Sequence, residues 1–256
     1  MNHPQLIAFD LDDTLAPSKS PLPGRMVDQL VSLLRHRPVC IISGGQYGQF
    51  HSQILEHLPD VSQEFLPRLH LMPTCGTQYF RYVEGAWSPQ YAENLTVQER
   101  ATAAAVAERE ARRLDLWEAQ TWGPVIEDRG SQITFSALGQ EAPVEAKKGW
   151  DPTGEKKERL RAAVAESLPD LEVRSGGSTS IDITRRGIDK AYGMRKLIEL
   201  TGIAAEQMLF VGDRLDEGGN DHPVIAVGVR TQAVDGWEDT ALLVSRLVDQ
   251  LEQESS

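Results

Sequence analysis

Leu6-Ile7-Ala8-Phe9 is an unbroken apolar run that ends in carboxylates, the pattern of a strand buried on both faces of a parallel sheet. Val27, Leu30, Val31 and Leu34 then recur at helical spacing. Val39-Cys40-Ile41-Ile42 reads as a second buried strand, and Tyr47, Phe50, Ile54, Leu55 and Leu58 as the next helical stripe. The alternation resumes late in the chain. A helix is expected over 191–200, strands over 208–211 and 224–229, and a closing helix over 238–253. Strand and helix in turn, with short joins, predict an α/β fold with a doubly wound, Rossmann-like parallel sheet.

The middle of the chain has a different pattern. An Ala-, Glu- and Arg-rich helix is expected over 97–116, a half-exposed alternating strand over 132–136, a second helix over 156–168 and further strands within 174–184. This reads as an α+β unit inserted into the α/β core, with the core at 1–90 and 187–256 and the insert at 91–186. The 256 residues are enough for two units, each with its own core.

Charge narrows the function classes. Asp and Glu number 38 against 26 Lys and Arg, a net charge of −12, which repels a phosphate backbone and argues against a nucleic-acid partner. No apolar run reaches the ~18 residues of a membrane span. The N-terminal stretch lacks the layout of a secretory signal, so a cytoplasmic protein is expected. Cys40 and Cys75 are too few for a disulfide framework and read as thiols in a reducing compartment. An acidic protein that handles phosphate must supply local positive charge or a metal.

Asp10, Asp12 and Asp13 follow the first strand, at the edge where open α/β sheets bind ligands. Such a cluster calls for a divalent cation, and Mg²⁺ prefers hard oxygen donors while leaving room for a substrate phosphate. The plain alternative is an acidic turn capping the next segment. Ser43-Gly44-Gly45 follows the second strand with a hydroxyl and backbone N–H groups that suit an anion. Lys190 opens a later helix and could bring the missing positive charge, although a lysine there is usually solvated. Asp213 ends another strand, and Asn220 and Asp221 lie on a Gly-Gly turn beyond it.

This order, Asp-x-Asp-x-Thr, Ser-Gly, Lys, then Gly-Asp with Gly-Gly-Asn-Asp, resembles the haloacid dehalogenase (HAD) superfamily, subfamily IIB. Gly-Ile-Asp-Lys at 187–190, Gly-Gly-Asn-Asp-His at 218–222, Gly176-Gly177 with Ser180-Ile181-Asp182, and the stretch from Gly123 to Gly139 resemble the eukaryotic-type phosphomannomutases. The resemblance implies a HAD core with an α/β cap and a Mg²⁺-dependent enzyme acting on a sugar phosphate. Asp10 is then the nucleophile that becomes an aspartyl phosphate, and Asp12 the acid and base on the sugar oxygen. Thr14, Ser43, Gly44 and Lys190 hold phosphoryl oxygens. The metal falls to Asp10, Asp213 and the Asp12 carbonyl, with Asn220 and Asp221 orienting Lys190 and the metal's waters. The resemblance also implies a hexose 1,6-bisphosphate activator and a homodimer formed through the cap.

In the cap, Gly176, Gly177, Ser180 and Asp182 match the sugar-facing segment, and Arg129 matches one phosphate-binding arginine. Lys19 falls at another arginine position and Lys147 or Lys148 near a third, while Trp122 and Gln140 stand where two more are expected. A lysine is a point charge and glutamine is neutral, so these departures weaken the grip on a second phosphate. Three functions stand side by side: a phosphomannomutase, a sugar-phosphate phosphatase in which water resolves the aspartyl phosphate, and a receiver-like signalling module. Asp12 and the inserted unit argue against the receiver.

Overall fold

The computed structural model describes residues 3–254. Packing divides them into two units, one built from the chain up to Tyr91 and from Ile188 onward, the other from Ala92–Gly187. The chain enters the larger unit with β1 (Leu6–Phe9), α1 (Gly24–His36), β2 (Val39–Ile42), α2 (Tyr47–Gln53), β3 (Leu69–Met72), β4 (Gln78–Val83) and β5 (Ala86–Ala92). The smaller unit contains α3 (Val97–Arg113), β6 (Ile126–Asp128), β7 (Gln132–Ser136), α4 (Val144–Trp150), α5 (Glu155–Ser167), β8 (Leu171–Ser175) and β9 (Ser180–Arg185). The chain then returns through α6 (Lys190–Thr201), β10 (Met208–Gly212), β11 (Arg230–Ala233) and α7 (Trp237–Glu254).

The larger unit's sheet has the order β11-β10-β1-β2-β3-β4-β5. Its strands run parallel from β11 to β3, and β4 is antiparallel to β3. Alternate residues of β1 face two cores. Ile7 and Phe9 pack with Leu30 and Leu34 of α1 and Val244 and Leu251 of α7. Leu6 and Ala8 pack with Met194 and Leu197 of α6 on the other face. Helices on both faces explain the unbroken apolar runs of β1 and β2, since neither face of these strands meets water.

In the smaller unit the antiparallel order is β6-β7-β9-β8. Ile133, Phe135, Ile181 and Ile183 form one face, packed on Ala103 and Val106 of α3 and Leu160 and Val164 of α5. Thr96 starts α3 by accepting from the Glu99 N–H at 3.1 Å, while the Glu99 carboxylate takes the Thr96 N–H. On the opposite face the register aligns Glu127, Thr134, Asp182 and Arg174 in one row across four strands.

Three elements differ from the sequence reading. The stripe through Leu58 breaks at Gln53, and Leu55–His57 forms a separate 3₁₀ turn. The apolar run expected as a strand over 224–229 lies mostly in a 3₁₀ helix, His222–Val227, closed by Gly228 at φ 86°. The strand follows as β11, a mostly exposed edge strand whose polar residues carry no apolar signal. Gln132–Ser136 is a strand but is buried at all five positions rather than half-exposed. Two of its polar residues are paired: Gln132 Nε2 donates to Thr134 Oγ1 on the same strand, which donates to Asp182 of β9.

Candidate active site

Parallel neighbours end at the same edge of a sheet. Asp10 therefore follows β1, Ser43 follows β2 and Asp213 follows β10 at one side of the larger unit. α6 starts there as well, with Asp189 accepting from the Tyr192 N–H at 2.8 Å and Lys190 in the first helical position. Lys190 is buried, with Nζ 2.6 Å from Asp10 Oδ1 and 2.5 Å from Asp221 Oδ1. The second Asp221 oxygen accepts the Arg214 N–H at 3.1 Å. Thr14 Oγ1 donates to Asp213 Oδ1 and accepts the Asp213 N–H, both at 3.1 Å.

Asp10, Asp213 and Asp221 each bring a carboxylate oxygen within 4.8 Å of the others. Three acidic groups face one ammonium, so negative charge is in excess. Burial pushes the Asp10 carboxyl up to about 8, with Lys190 opposing the rise and Asp221 adding to it. The Asp213 carboxyl is also raised, by burial and then by Asp221. Burial works to lower the Lys190 ammonium, but Asp10 and Asp221 outweigh it and leave the group above its ordinary value. Hard oxygen donors carrying uncompensated charge fit a divalent cation such as Mg²⁺.

Asp12 belongs to a different part of the site. Its side chain turns away from the three carboxylates: Oδ1 accepts the Lys19 N–H at 2.7 Å, and Oδ2 accepts from Gln49 Nε2 at 2.8 Å. The turn between them uses Asp13 at φ 63° and Lys19 at φ 54°. Ser43 Oγ accepts the Gly45 N–H at 3.1 Å. The loop carrying Gly44 is braced by a left-handed turn, Thr74 at φ 49° and Cys75 at φ 55°. Their N–H groups donate to the carbonyls of Gly45 and Ser43.

Several sequence-stated roles change against this geometry. The Thr14 hydroxyl is bonded to Asp213 through both its donor and an acceptor position and so braces that carboxylate. Asn220 is exposed on its turn, and it is Asp221 that pairs with Lys190. Asp221 accepts from Lys190 and the Arg214 N–H and stands with Asp10 and Asp213 among the carboxylates that could hold a metal. The Asp12 side chain is not part of the metal group; only its carbonyl remains for that role. The part of Lys19 that meets Asp12 is its backbone.

The smaller unit's candidates lie on or near the polar face of its sheet. Arg129 is largely buried and pairs with Glu127 at 2.6 Å. Gly176 donates its N–H to the Ser180 carbonyl, and a Cβ there would come within 2.8 Å of Ser180 Oγ and 2.9 Å of Asp182 Oδ2. Gly176, Ser180 and Asp182 thus converge, with Gly177 in the same turn. Lys147 reaches the Gln140 carbonyl at 3.2 Å, while Lys148 is exposed beside Glu145. Trp122 is half exposed. Lys157 donates to the Gly177 carbonyl at 3.2 Å. Gln49 had no motif to mark it; it is a polar residue next to the buried Phe50 on a short helix.

Comparison with known proteins identifies the family. The sequence model of the family described as "Eukaryotic phosphomannomutase" matches residues 109–250, more than half of the chain. A probable phosphomannomutase from Caenorhabditis elegans is 23% identical over 264 residues, covering 96% of each chain. A phosphomannomutase from Spinacia oleracea is 30% identical over 110 residues, 41% of this chain and 42% of that one. Among solved structures, a Plasmodium falciparum IMP-nucleotidase superposes with a TM-score of 0.73 at 15% identity, covering 99% of this chain and 70% of that one. A haloacid dehalogenase-like hydrolase from Bacteroides thetaiotaomicron gives 0.64 at 15% identity, covering 95% and 99%. At such identities the structures speak for the fold alone, and that fold is HAD-like. The chain has a HAD-like fold, is an enzyme, and belongs to the eukaryotic phosphomannomutase family.

Proposed function

We propose that the chain is a phosphomannomutase, moving a phosphoryl group between the 6- and 1-positions of mannose through an aspartyl phosphate on Asp10. One observation carries the reading: Lys190 bonds Asp10 and Asp221 together in a buried site, while Asp12 is held separately two residues away. A nucleophile needs a fixed, desolvated carboxylate, and an acid–base group must reach the sugar oxygen instead. Mg²⁺, held by Asp10, Asp213 and the Asp12 carbonyl, supplies positive charge against the phosphoryl oxygens when bound. Lys190, Ser43 and the Gly44 backbone bind those oxygens. The Gly176–Gly177 turn, Ser180 and Asp182 recognise the sugar, and Arg129 with Lys147 recognises its second phosphate. A hexose 1,6-bisphosphate serves as activator by phosphorylating Asp10.

A second reading, a sugar-phosphate phosphatase, is favoured by Trp122 and Gln140 at positions where the family carries arginines. Both readings are separated by incubating the protein with Mg²⁺ and mannose 1-phosphate, with and without a hexose 1,6-bisphosphate, and following phosphorus NMR. Mannose 6-phosphate that accumulates only with bisphosphate supports the mutase. Inorganic phosphate as the main product overturns it in favour of the phosphatase. Asp10→Asn abolishes turnover in either case, and a folded Asp10→Asn protein with wild-type activity overturns the nucleophile.

A further inference from the structure

We propose that Gln49 is the positioning residue for the acid–base group Asp12, an inference that rests on the proposed role of Asp12. The Gln49 side chain is held by a hydrogen bond at one end of its amide and by close packing at the other. Nε2 donates to Asp12 Oδ2 at 2.8 Å, and Oε1 lies directly against Gly45, where a Cβ would collide with it. Gly45 is in turn tied to Ser43 through its N–H. The Lys19 N–H takes the other Asp12 oxygen at 2.7 Å. The two donors approach different oxygens, so together they fix the rotation of the carboxylate as well as its position. The Lys19 contact is backbone and survives substitution, which leaves Gln49 as the side chain that sets the orientation.

The chemistry makes this orientation matter in one kind of step. As the Asp10–phosphorus bond forms, the bond from phosphorus to the sugar oxygen breaks, and Asp12 gives its proton to that oxygen. In the second half-reaction Asp12 takes a proton from the incoming hydroxyl or water while the Asp10–phosphorus bond breaks. A misoriented carboxyl slows both transfers. In the first half-reaction alone it has little effect when the leaving group departs as a stable anion that needs no proton. Gln49 therefore acts on the sensitivity of the rate to the leaving group, and a helix residue with only a structural role does not.

The test measures kcat and KM with Mg²⁺ for phosphate monoesters from p-nitrophenyl phosphate to ethyl phosphate, with mannose 1-phosphate added to the series. Wild type, Asp12→Asn, Gln49→Leu, Gln49→Glu and Gly45→Ala are compared after circular dichroism and urea melts establish folding. The expected result for Gln49→Leu is a loss of kcat/KM, which reports the first half-reaction, of roughly 10–100-fold on the alkyl esters and about twofold on p-nitrophenyl phosphate, while kcat on every ester also carries the slowed second half-reaction. Gln49→Glu keeps the shape but replaces the donor with a carboxylate that repels Asp12, so it shows the same selective loss. Gly45→Ala displaces the amide without touching Gln49 and reproduces the loss, which keeps the proposal testable if Gln49→Leu unfolds. Equal losses of kcat/KM on all esters in the Gln49 and Gly45 variants, with a selective loss in Asp12→Asn, overturn the role of Gln49 alone. Equal losses of kcat/KM in Asp12→Asn overturn the acid–base role of Asp12 and Gln49 with it. A wild-type enzyme that cleaves the simple esters but not mannose 1-phosphate overturns the proposed substrate and leaves the leaving-group test of Gln49 intact.

Discussion

Buried ionisable side chains survive in this protein by two opposite routes. Lys190, with 2% of its side chain exposed, keeps its charge because Asp10 and Asp221 stand within 2.6 Å. Removing either partner leaves uncompensated charge in a desolvated place. His70 on β3 instead gives up its charge. Its Nδ1 lies 2.8 Å from the Tyr79 hydroxyl, which already accepts from Arg81 at 3.0 Å. Burial, then the Arg81 charge, lower the His70 imidazole to about 3. The unfolded chain takes up this proton near 6.5 and the folded chain does not until about 3, so the unfolded state binds more protons across that window. His70 thus contributes stability above pH 6.5 that is lost as pH falls, at ~1.4 kcal/mol per unit. Urea melts of wild type and His70→Gln at pH 6.5 and pH 5 check this. The wild type loses about 2 kcal/mol more than the variant over the interval; equal losses in the two proteins refute a neutral buried His70.

At the scale of elements, the site depends on how closely α6 approaches the turn after β3. Gly193, on the face of α6, meets Ile42 and Cys75: a Cβ there would lie 2.7 Å from the Cys75 carbonyl oxygen and would collide with Ile42 Cδ1. Two effects of Gly193→Ala oppose each other. Alanine is the better helix former by ~1 kcal/mol, whereas overpacking against backbone costs ~1–3 kcal/mol. The carbonyl is part of a left-handed turn bonded to Ser43, so it cannot yield freely, and overpacking wins. The variant melts lower in urea by ~1 kcal/mol or more and loses activity, because α6 carries Lys190; a stabilised variant shows that the approach is looser than this. Little of this contact could be read from the sequence. The apolar runs of β1, β2 and β10 announced themselves because both faces are covered, and the carboxylates at their ends were legible because strand ends gather at one edge. β11 was not, since an exposed edge strand has no apolar pattern. The Gln49 contact and the Thr14–Asp213 bond were missed for a related reason: what a polar side chain bonds is set by neighbours far away in sequence, such as Asp213, 199 residues from Thr14.

For the molecule as a whole, the acidic balance and the site's charge lead to one prediction about metal and stability. The chain carries a net charge of −12, and three carboxylates converge around one lysine in the larger unit. Without a cation, their mutual repulsion is part of what pushes Asp10 and Asp213 up. Mg²⁺ that binds only the folded state raises stability by about 2.7 kcal/mol at a hundred times its dissociation constant. For a unit of this size that corresponds to a rise of roughly 5–10 °C in melting temperature. Because Asp10, Asp213, Asp221 and Lys190 all belong to the larger unit, the rise follows that unit's transition, while a separate transition from the smaller unit stays where it is. Asp213→Asn discriminates binding from general screening of negative charge. The amide still accepts from Thr14 but removes one negative charge, so in EDTA the variant melts at or above the wild type, and its response to Mg²⁺ disappears. Calorimetry at fixed ionic strength, with Mg²⁺ titrated against EDTA, reads both effects. A Mg²⁺ shift of equal size in Asp213→Asn assigns the stabilisation to the acidic surface at large, and the three carboxylates then lose their claim to the metal.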